Sequence, residues 1–597
     1  MGMVAAGQAI DSGKTDGRSR ECGLLEAWLR HVDDVELLSE LCGMKAAYEN
    51  AADGEERERA FAAIADAFFQ DLEFGTAGLR GIIGAGTNRM NVYTVRRATQ
   101  GFADYLNARF DAPSVAIARD SRHKGAEFVR AAASVLAANG VKVHVYPRIE
   151  PTPALSFAVR DLGCSGGICM TASHNPAAYN GYKAYGPDGC QITTQASRDI
   201  SAAIESVDMF AGVRTVDFDE ALESGMVSWI GEETLDRFID AVAAQSLAPH
   251  HADAPSGYAS EGEPLSIVYT PLNGTGLECV GRILERVGID DVTLVEDQAA
   301  PDGDFPTCPY PNPEIREALQ RGIEVCRQVH PDLLLATDPD ADRVGIAVED
   351  GGDFTLLTGN ETGVLLLDYI ARMRMQRGED LSRSIAVTTI VSSAMVDAIA
   401  REYGFSVRRV LTGFKYIGEL IGELEEKGEA DRFIFGFEES YGYLSGPHVR
   451  DKDAVNASML ICQMAQYWKS RGMNLAEAIR ALYEEHGYFY NRTVSLGYPG
   501  ADGAARMKAI MDSLRASIPA KIAGEAVVSH ADYLPGVDGL PSANVMEFSL
   551  ADGSKVLVRP SGTEPKIKAY LFVCKRSADE ASDALSELES AARELLA

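Results

Sequence analysis

The sequence has few of the features that mark secreted, membrane-bound or metal-clustering proteins. None of its ten cysteines forms a C-x-x-C pair, and the spacing of Cys164 and Cys169 matches no common metal motif. No apolar run approaches the ~18 residues of a membrane span. The N-terminal segment lacks the basic start and apolar centre of a signal peptide, and Ala6 stands where a myristoylation signal needs Ser or Thr. These absences predict a cytoplasmic protein with reduced thiols and no membrane partner.

Positive charge is also scarce. The chain has 56 Lys and Arg against 88 Asp and Glu, a formal net charge of -32. This balance argues against nucleic acid or an anionic membrane as a partner. The Gly-Lys-Thr at 13–15 is no Walker A loop, because its partner glycine is replaced by Gln8. If the ligand is an anion, the cations that bind it must be gathered locally by the fold.

The length and the pattern of apolar segments predict several domains. A chain of 597 residues exceeds what one core fills. Buried strands such as VAIARD (115–120) alternate with helices such as GAEFVRAAASVLAANG (125–140), which is typical of parallel sheets covered by helices. The segment 251–264, rich in Pro, Gly, Ser and acids, predicts a linker. Residues from 491 onward, with separated strands and a long acidic helix, indicate an α+β domain.

The first polar motif is Thr-Ala-Ser-His-Asn-Pro at 171–176. It follows the apolar run GGICM, a predicted buried strand, so Ser173 lies where ligands bind in open α/β sheets. Adjacent side chains of an extended chain point to opposite sides, which makes His174 a poor base for Ser173. A serine that carries a phosphoryl group, in a pocket shared with His174, Asn175 and Lys183, is one interpretation. A turn held by side-chain hydrogen bonds is the other.

The second motif is Asp-Pro-Asp-Ala-Asp-Arg at 338–343, after the predicted strand LLLAT. Three carboxylates this close repel one another unless a cation neutralises them, and Mg²⁺ suits such oxygen ligands. Glu349 even occupies the twelfth position of an EF-hand loop. However, Arg343 stands where that loop needs glycine, and strands rather than helices flank it. A solvated acidic turn is the remaining alternative.

Two further motifs follow predicted strands. Gly-Phe-Glu-Glu-Ser at 436–440 offers a carboxylate and a hydroxyl for neighbouring hydroxyls of a polyol, although a surface turn fits equally well. Arg-Pro-Ser-Gly-Thr-Glu-Pro-Lys at 559–566 offers a guanidinium, two hydroxyls and open backbone N–H groups, which suit a phosphate dianion. The G-x-S-x-G match at 163–167 is not a nucleophile elbow, because its strand comes after the serine rather than before it.

The four motifs, in this order and spacing, resemble the α-D-phosphohexomutase superfamily, from about Phe74 to the end of the chain. Together with TGFKYI at 412–417, they are most similar to the long bacterial phosphoglucomutases and phosphomannomutases, close to the phosphoglucomutase/phosphopentomutase branch. The resemblance implies an α/β fold of four domains around a central cleft, three of related α/β topology and a C-terminal α+β phosphate-binding domain. The predicted segments are an N-terminal extension over 1–60 (partly disordered, then helical) and domains over 61–250, 265–378, 383–490 and 491–597.

The resemblance also implies roles for individual residues. Ser173 would be phosphorylated in the resting enzyme, with His174 and Arg80 in its pocket and Lys183 as the candidate general base. Mg²⁺ would bind Asp338, Asp340 and Asp342, with phosphorylated Ser173 as a further ligand. The residues implied to bind substrate are Arg343, Thr412, Gly413, Lys415, Glu438, Ser440, Arg450 and Lys452. Those implied to clamp the distal phosphate are Arg559, Ser561, Gly562, Thr563 and Lys566.

The expected reaction is the interconversion of glucose 1-phosphate and glucose 6-phosphate through glucose 1,6-bisphosphate, which would also activate the enzyme. Many relatives carry Gly-His after the sugar loop, whereas Tyr441-Gly442 follows Ser440 here, which leaves the base open. Mannose or pentose phosphates are alternative substrates. A bisphosphate synthase or phosphatase is another catalytic alternative, and a non-catalytic sugar-phosphate binder predicts damage to these motifs, which is absent. We expect a monomer or dimer that binds only small sugar phosphates.

Overall fold

The computed structural model describes residues 12–75, 78–248, 264–498, 501–561 and 566–596. The described residues separate into two compact units. The first comprises the described residues up to Phe238 with the later segments Leu272–Thr275 and Ala300–Asn312, and the second comprises the rest. None of the helices in these ranges combines the length and the apolar character needed to cross a membrane. No disulfide joins any of the ten cysteines, which all fall within the described ranges.

The first unit is a mixed α/β domain preceded by a helical extension. Its helices are α1 (Ser12–His31), α2 (Val35–Glu49), α3 (Gly54–Phe68), α4 (Val92–Asn107), α5 (Gly125–Ala138), α6 (Thr152–Asp161), α7 (Thr194–Glu205) and α8 (Phe218–Glu223). Helix α9 (Glu232–Ala243) begins in this unit and continues past Phe238 into the second. Its strands are β1 (Leu79–Ile82), β2 (Ser114–Arg119), β3 (Lys142–Val145), β4 (Gly166–Met170), β5 (Tyr179–Tyr185) and β6 (Val227–Trp229).

The six strands form one sheet in the order β1-β5-β4-β2-β3-β6. Strands β4, β2, β3 and β6 run parallel, whereas β5 and β1 are antiparallel to their neighbours. The two central strands, β4 and β2, have buried apolar residues on both faces, as a sheet covered by helices requires. Because β2 and β4 are parallel and adjacent, the loops that follow Arg119 and Met170 leave the same edge of the sheet.

The N-terminal helices share the core of this domain. Trp28 of α1 is almost fully buried and meets Phe68, Tyr93 and Phe210 edge-on, at ring-centroid distances of 5.7–5.8 Å. Replacing such a buried indole by alanine typically costs about 3–5 kcal/mol. Helix α1 begins at Ser12, so the described part of the predicted N-terminal extension starts in a helix. Extending a helix that is already anchored is far easier than nucleating one.

The second unit contains three sheets and their helices. Its helices are α10 (Gly276–Arg286), α11 (Glu296–Ala299), α12 (Arg316–Val329), α13 (Gly359–Gln376), α14 (Met395–Tyr403), α15 (Lys415–Glu426), α16 (Ala454–Lys469), α17 (Leu475–His486), α18 (Ala501–Ala516) and α19 (Ala578–Leu595), with a 3₁₀ turn at Ala430–Arg432. Its strands are β7 (Ser266–Thr270), β8 (Asp291–Leu294), β9 (Leu333–Thr337), β10 (Val344–Asp350), β11 (Asp353–Leu357), β12 (Ile385–Thr389), β13 (Ser406–Val410), β14 (Phe433–Glu438), β15 (Gly442–Leu444), β16 (Tyr488–Gly497), β17 (Lys521–Ile522), β18 (Glu525–Asp532), β19 (Met546–Leu550), β20 (Lys555–Pro560) and β21 (Lys566–Lys575).

Two of these sheets repeat the pattern of parallel centre and antiparallel edge. Their orders are β11-β10-β9-β7-β8 and β13-β12-β14-β15, with β10, β11 and β15 antiparallel to their neighbours. The third, β16-β21-β20-β19-β18-β17, is antiparallel throughout and is covered by α19. The predicted parallel sheets are therefore mixed at their edges. The domain boundaries stay predictions, and residues 251–263 of the predicted linker lie outside the described residues.

Candidate active site

Ser173 lies in the loop that leaves the carboxyl end of β4. It is buried, and its φ of 51° places it in the left-handed region, which is uncommon for a residue with a side chain. Its backbone N–H donates to Oγ1 of Thr171 at 2.8 Å, a short-range bond that helps hold the turn. Strained backbone of this kind is typical of functional sites, where the surrounding structure must hold it in place.

The side chains of Ser173 and His174 face each other. Oγ of Ser173 lies 3.1 Å from Nδ1 of His174, within hydrogen-bond distance. The expectation that these neighbours point to opposite sides is therefore wrong. It assumed an extended chain, whereas the left-handed conformation of Ser173 rotates consecutive side chains toward one side. The imidazole can thus exchange a hydrogen bond with the serine hydroxyl.

Arg80 and Lys183 reach this region from the antiparallel edge of the sheet. Arg80 on β1 donates from Nη1 to Oδ1 of Asn175, in the serine loop, at 3.0 Å. Lys183 on β5 is buried and pairs in register with Cys169 of β4. The structure therefore brings Arg80 into contact with the serine loop and places Lys183 on the strand beside the one that ends in it.

Asp120 and Arg122 were missed by the sequence analysis. They follow β2, and the N–H of Asp120 donates to the carbonyl of Met170 at 3.1 Å, which joins the ends of β2 and β4. Both side chains are fully buried and form an ion pair at 3.3 Å. The available signal was the run Arg-Asp-Ser-Arg directly after a buried strand, the same placement that drew attention to Ser173.

The acidic loop connects β9 to β10 in the second unit. The side chains of Asp338, Asp340 and Asp342 are buried, and their carboxylates each offer an oxygen within 4.8 Å of the others. Oδ1 of Asp338 accepts from the backbone N–H groups of Asp342 and Arg343 at 3.1 and 3.0 Å. Burial, followed by the charges of Asp340 and Asp342, raises the pKa of Asp338 well above its usual range.

This donor set fits a divalent cation. Three carboxylates present hard oxygen ligands to one point, and their mutual repulsion in a buried loop is relieved when a cation binds. The loop is a strand-to-strand turn, which excludes the EF-hand alternative. Its burial excludes the solvated acidic turn. A divalent cation that prefers oxygen ligands matches these donors.

The predicted sugar loop is Gly-Phe-Glu-Glu-Ser at 436–440, and β14 ends within it at Glu438. Oε1 of Glu438 accepts from the backbone N–H of Gly413 at 2.7 Å, which joins the two predicted substrate segments. Burial raises the pKa of Glu438, and burial together with the neighbouring Glu438 raises the pKa of Glu439 to about 7. Ser440 lies in the turn that follows. Two carboxylates in one loop, with Glu438 buried and Glu439 half-buried, suit hydrogen bonding to hydroxyl groups.

The sugar loop also adjoins the acidic loop. The backbone N–H of Val344 donates to the carbonyl of Tyr441 at 3.1 Å, and Arg343 forms a β-bridge with Gly442. Nζ of Lys452 lies 3.1 Å from Oδ2 of Asp342. Arg343 and Lys452 therefore lie next to the carboxylates. This is the local concentration of cations that an acidic chain would need to bind an anion.

The other predicted substrate residues differ in their surroundings. Lys415, the first residue of α15, is buried with Nζ above the ring of Tyr416, and Thr412 is half-buried just before it. The guanidinium of Arg450 is fully buried and donates to Oε2 of Glu425 at 2.7 Å and to the carbonyl of Val449 at 3.1 Å. These contacts favour a structural role for Arg450, and its contact with substrate stays a prediction.

The predicted phosphate loop joins β20 to β21. Arg559 and Ser561 are half-buried, and the N–H of Ser561 donates to the carbonyl of Lys566 at 2.7 Å, which closes the base of the loop. Gly562 and Thr563 lie outside the described residues. The structure therefore brings the two ends of the loop together.

Comparison with known proteins gives the family. Residues 71–210, 236–352 and 358–486 match the alpha/beta/alpha domains I, II and III of phosphoglucomutase/phosphomannomutase. A phosphoglucomutase from Staphylococcus aureus (strain MSSA476) is 35% identical over 575 residues, which cover 94% of this chain and 98% of that protein.

Solved structures share the fold. A phosphoglucomutase/phosphomannomutase family protein from Burkholderia thailandensis has a TM-score of 0.62 at 21% identity, covering 87% of this chain and 95% of that one. The open form of the Paramecium phosphoglucomutase pp63/parafusin has a TM-score of 0.65 at 18% identity, covering 88% and 94%. The predicted fold class, mutase enzyme class and superfamily are confirmed: the chain belongs to the phosphoglucomutase/phosphomannomutase family.

Proposed function

We propose that this chain interconverts glucose 1-phosphate and glucose 6-phosphate through a phosphoserine at Ser173. The observation that carries the proposal is the placement of Ser173, a buried hydroxyl in a left-handed turn at the carboxyl end of β4. The choice of glucose is supported by the 35% identity to a phosphoglucomutase along nearly the whole chain.

The reaction consists of two phosphoryl transfers with opposite direction. In the first, the bond between phosphorus and Oγ of Ser173 breaks while a free sugar hydroxyl bonds to the phosphorus and gives up its proton. Lys183 is the proposed acceptor of that proton, and His174, which hydrogen-bonds Oγ, orients the serine. The product is glucose 1,6-bisphosphate. Its other phosphoryl group then returns to Ser173, and added bisphosphate primes enzyme whose serine is unphosphorylated.

Asp338, Asp340 and Asp342, with the phosphorylated Ser173, would hold Mg²⁺. When bound, the ion supplies positive charge that offsets the phosphoryl oxygens during transfer. Without it, the three buried carboxylates would repel an incoming phosphate, because anions in a poorly solvated site interact strongly. The acidic loop therefore makes activity dependent on a divalent cation.

The remaining predicted residues bind the two ends of the sugar phosphate. Glu438 and Ser440 would form hydrogen bonds with the ring hydroxyls of the sugar. The clamp on the distal phosphate would recognise only phosphate, which would let the sugar bind in two orientations. Arg80, beside the serine loop, is a proposed catalytic residue with Ser173, His174 and Lys183. The further proposed substrate contacts are Arg343, Thr412, Gly413, Lys415, Arg450 and Lys452, and the proposed clamp is Arg559, Ser561, Gly562, Thr563 and Lys566. We place the enzyme in the cytoplasm, where its cysteines stay reduced.

The test is a coupled assay with Mg²⁺ and a trace of glucose 1,6-bisphosphate. Glucose 1-phosphate, mannose 1-phosphate and ribose 1-phosphate are supplied in parallel, and mass spectrometry measures phosphate on Ser173. We expect turnover of the glucose substrate, loss of turnover with chelator, and loss of both turnover and phosphate in Ser173→Ala.

The matched control is Ser165→Ala. Ser165 directly precedes β4, at the end of the strand opposite to Ser173, and its hydroxyl accepts a bond from the backbone N–H of Ser114 at 3.3 Å. This variant should keep both activity and phosphoserine. Preference for mannose or ribose would change the substrate and keep the mechanism, whereas full turnover of Ser173→Ala would refute the phosphoserine proposal.

A further inference from the structure

Arg122 holds the serine loop by its backbone. Its fully buried guanidinium donates from Nη2 to the carbonyl of Ser173 at 2.5 Å and to that of Asn175. It also donates from Nη1 to the carbonyls of Pro176 at 2.8 Å and Tyr179 at 3.0 Å. One side chain therefore contacts four carbonyls, spread over seven positions of chain from Ser173 to Tyr179.

The guanidinium is itself fixed from the opposite side. The carboxylate of Asp120 pairs with it at 3.3 Å and also accepts from the backbone N–H of Arg122 at 2.9 Å. The ring of Phe305, from a later segment of the same unit, lies 5.0 Å from the guanidinium carbon. The planar group is thus held between a carboxylate, an aromatic ring and the loop.

This arrangement opposes the strain in the loop. A left-handed conformation at a residue with a side chain, such as Ser173 with φ of 51°, is strained and persists only where neighbours impose it. Hydrogen bonds from a charged, buried donor are among the strongest available, and the rigid fork of arginine fixes direction as well as distance. The carbonyl of Ser173 is one of its acceptors, so the guanidinium acts on the peptide group that determines where Oγ points.

We propose that Arg122 is a positioning residue for the phosphoryl transfer. Its hydrogen bonds to the backbone of the serine loop fix the position of Ser173 Oγ. The inference rests on the proposed role of Ser173. Arg122 acts through the loop, and other residues bind the sugar and the distal phosphate. Its loss should therefore lower kcat and leave KM nearly unchanged, since a shift of about 1 Å in a reacting group can cost about 100-fold in rate.

The test compares Arg122→Lys with Arg130→Lys. Lysine keeps the charge, but its three donors share one nitrogen and cannot reach four carbonyls. Arg130 is a matched control, because it also lies over a phenylalanine ring, Phe218 at 4.2 Å, and pairs with a carboxylate, Asp219 at 3.0 Å. We expect kcat to fall about 100-fold in Arg122→Lys with KM within about twofold, and neither to change in Arg130→Lys.

A ³¹P spectrum of the phosphoenzyme gives a readout that a general loss of stability would not move. The phosphoserine resonance of folded Arg122→Lys should shift or broaden, whereas that of Arg130→Lys should match the unsubstituted enzyme. Unchanged kcat and an unchanged resonance would overturn the inference. The inference would also be overturned if kcat of Arg122→Lys fell only in proportion to the fraction of unfolded protein while the folded fraction kept the resonance of the unsubstituted enzyme.

Asp120→Asn keeps the inference testable if Arg122→Lys does not fold. The amide oxygen can still accept from the N–H of Arg122, but the charge that orients the guanidinium is gone. We expect a smaller fall in kcat, about 10-fold, again at constant KM, and constant kcat would contradict the inference. Absence of phosphoserine from the unsubstituted enzyme would instead refute the proposed function, so the two failures are distinguishable.

Discussion

Replacing Asp340 by asparagine should stabilise the metal-free protein and remove its response to Mg²⁺. The three carboxylates of the acidic loop offer oxygens within 4.8 Å of one another in a buried site. With an effective dielectric constant of about 20, two unit charges at this distance repel by about 3 kcal/mol. Asp340→Asn removes the repulsion with Asp338 and with Asp342 and changes the side-chain volume very little.

The net gain is smaller than the sum of two pairs. Lys452 and Arg343 already offset part of the charge, because their nitrogens lie 3.1 and 3.8 Å from the carboxylate oxygens of Asp342. We therefore expect Asp340→Asn to raise the free energy of unfolding by about 2–4 kcal/mol in chelator. In excess Mg²⁺ the unsubstituted protein should gain about 3 kcal/mol if the ion stands at 100 times its Kd, and the variant should gain far less.

Differential scanning calorimetry in chelator and in Mg²⁺ measures both effects. Asp350→Asn is the control, because Asp350 lies at the far end of β10, where its carboxylate pairs with Arg480 at an exposed site. The control should change stability by less than about 1 kcal/mol and keep the full response to Mg²⁺. If Asp340→Asn destabilises the metal-free protein, or if Mg²⁺ stabilises both forms equally, the electrostatic account of this loop is wrong.

Two further predictions concern the backbone and the pH profile. Gly78→Ala should lower the free energy of unfolding, measured by urea titration, by about 3 kcal/mol or more, since φ is 85° and the new Cβ would lie 1.9 Å from the carbonyl oxygen of Tyr182. The control Gly225→Ala, where φ is 76° but the space around the Cβ is open, should cost only about 1 kcal/mol in the same titration. The acidic limb of kcat/KM should reflect the raised pKa values of Glu438 and Glu439, because activity that needs ionised carboxylates is lost as pH falls through them. Glu438→Gln should raise KM and move the limb to lower pH, since it removes a charge that raises the pKa of Glu439; a limb that does not move would contradict this assignment.

The places of the candidate site residues in the fold could be predicted because these residues lie at or just beyond the ends of buried strands. The structure confirms a strand at each of the four apolar runs. Two candidate residues follow a strand end closely, Ser173 after β4 and Asp338 after β9, and two lie at a strand end, Glu438 in β14 and Arg559 in β20. An apolar run with an abrupt polar end is a local property, so one sequence suffices to find it. The resemblance then joined four separate loops into one function.

Other features depend on contacts that no local pattern contains. The hydrogen bond between Ser173 and His174 follows from a left-handed φ, which the residue type disfavours. Arg122 acts on a loop 51 positions further along the chain, and its place follows only from the adjacency of β2 and β4. Strand β10 is antiparallel to β9 but carries an apolar run, VGIAV, like those of the parallel strands, so the direction of a strand could not be predicted from its residues.

The aromatic cluster around Trp28 determines where a recombinant fragment of this protein can begin. The match to the family's first domain begins at residue 71, yet Trp28 lies before that point, where it contacts Phe68, and packs against Tyr93 and Phe210 beyond it. A recombinant fragment that starts at the family boundary would expose those rings to solvent and to aggregation. The N-terminal helices are therefore part of the smallest fragment of this region that can be expected to fold.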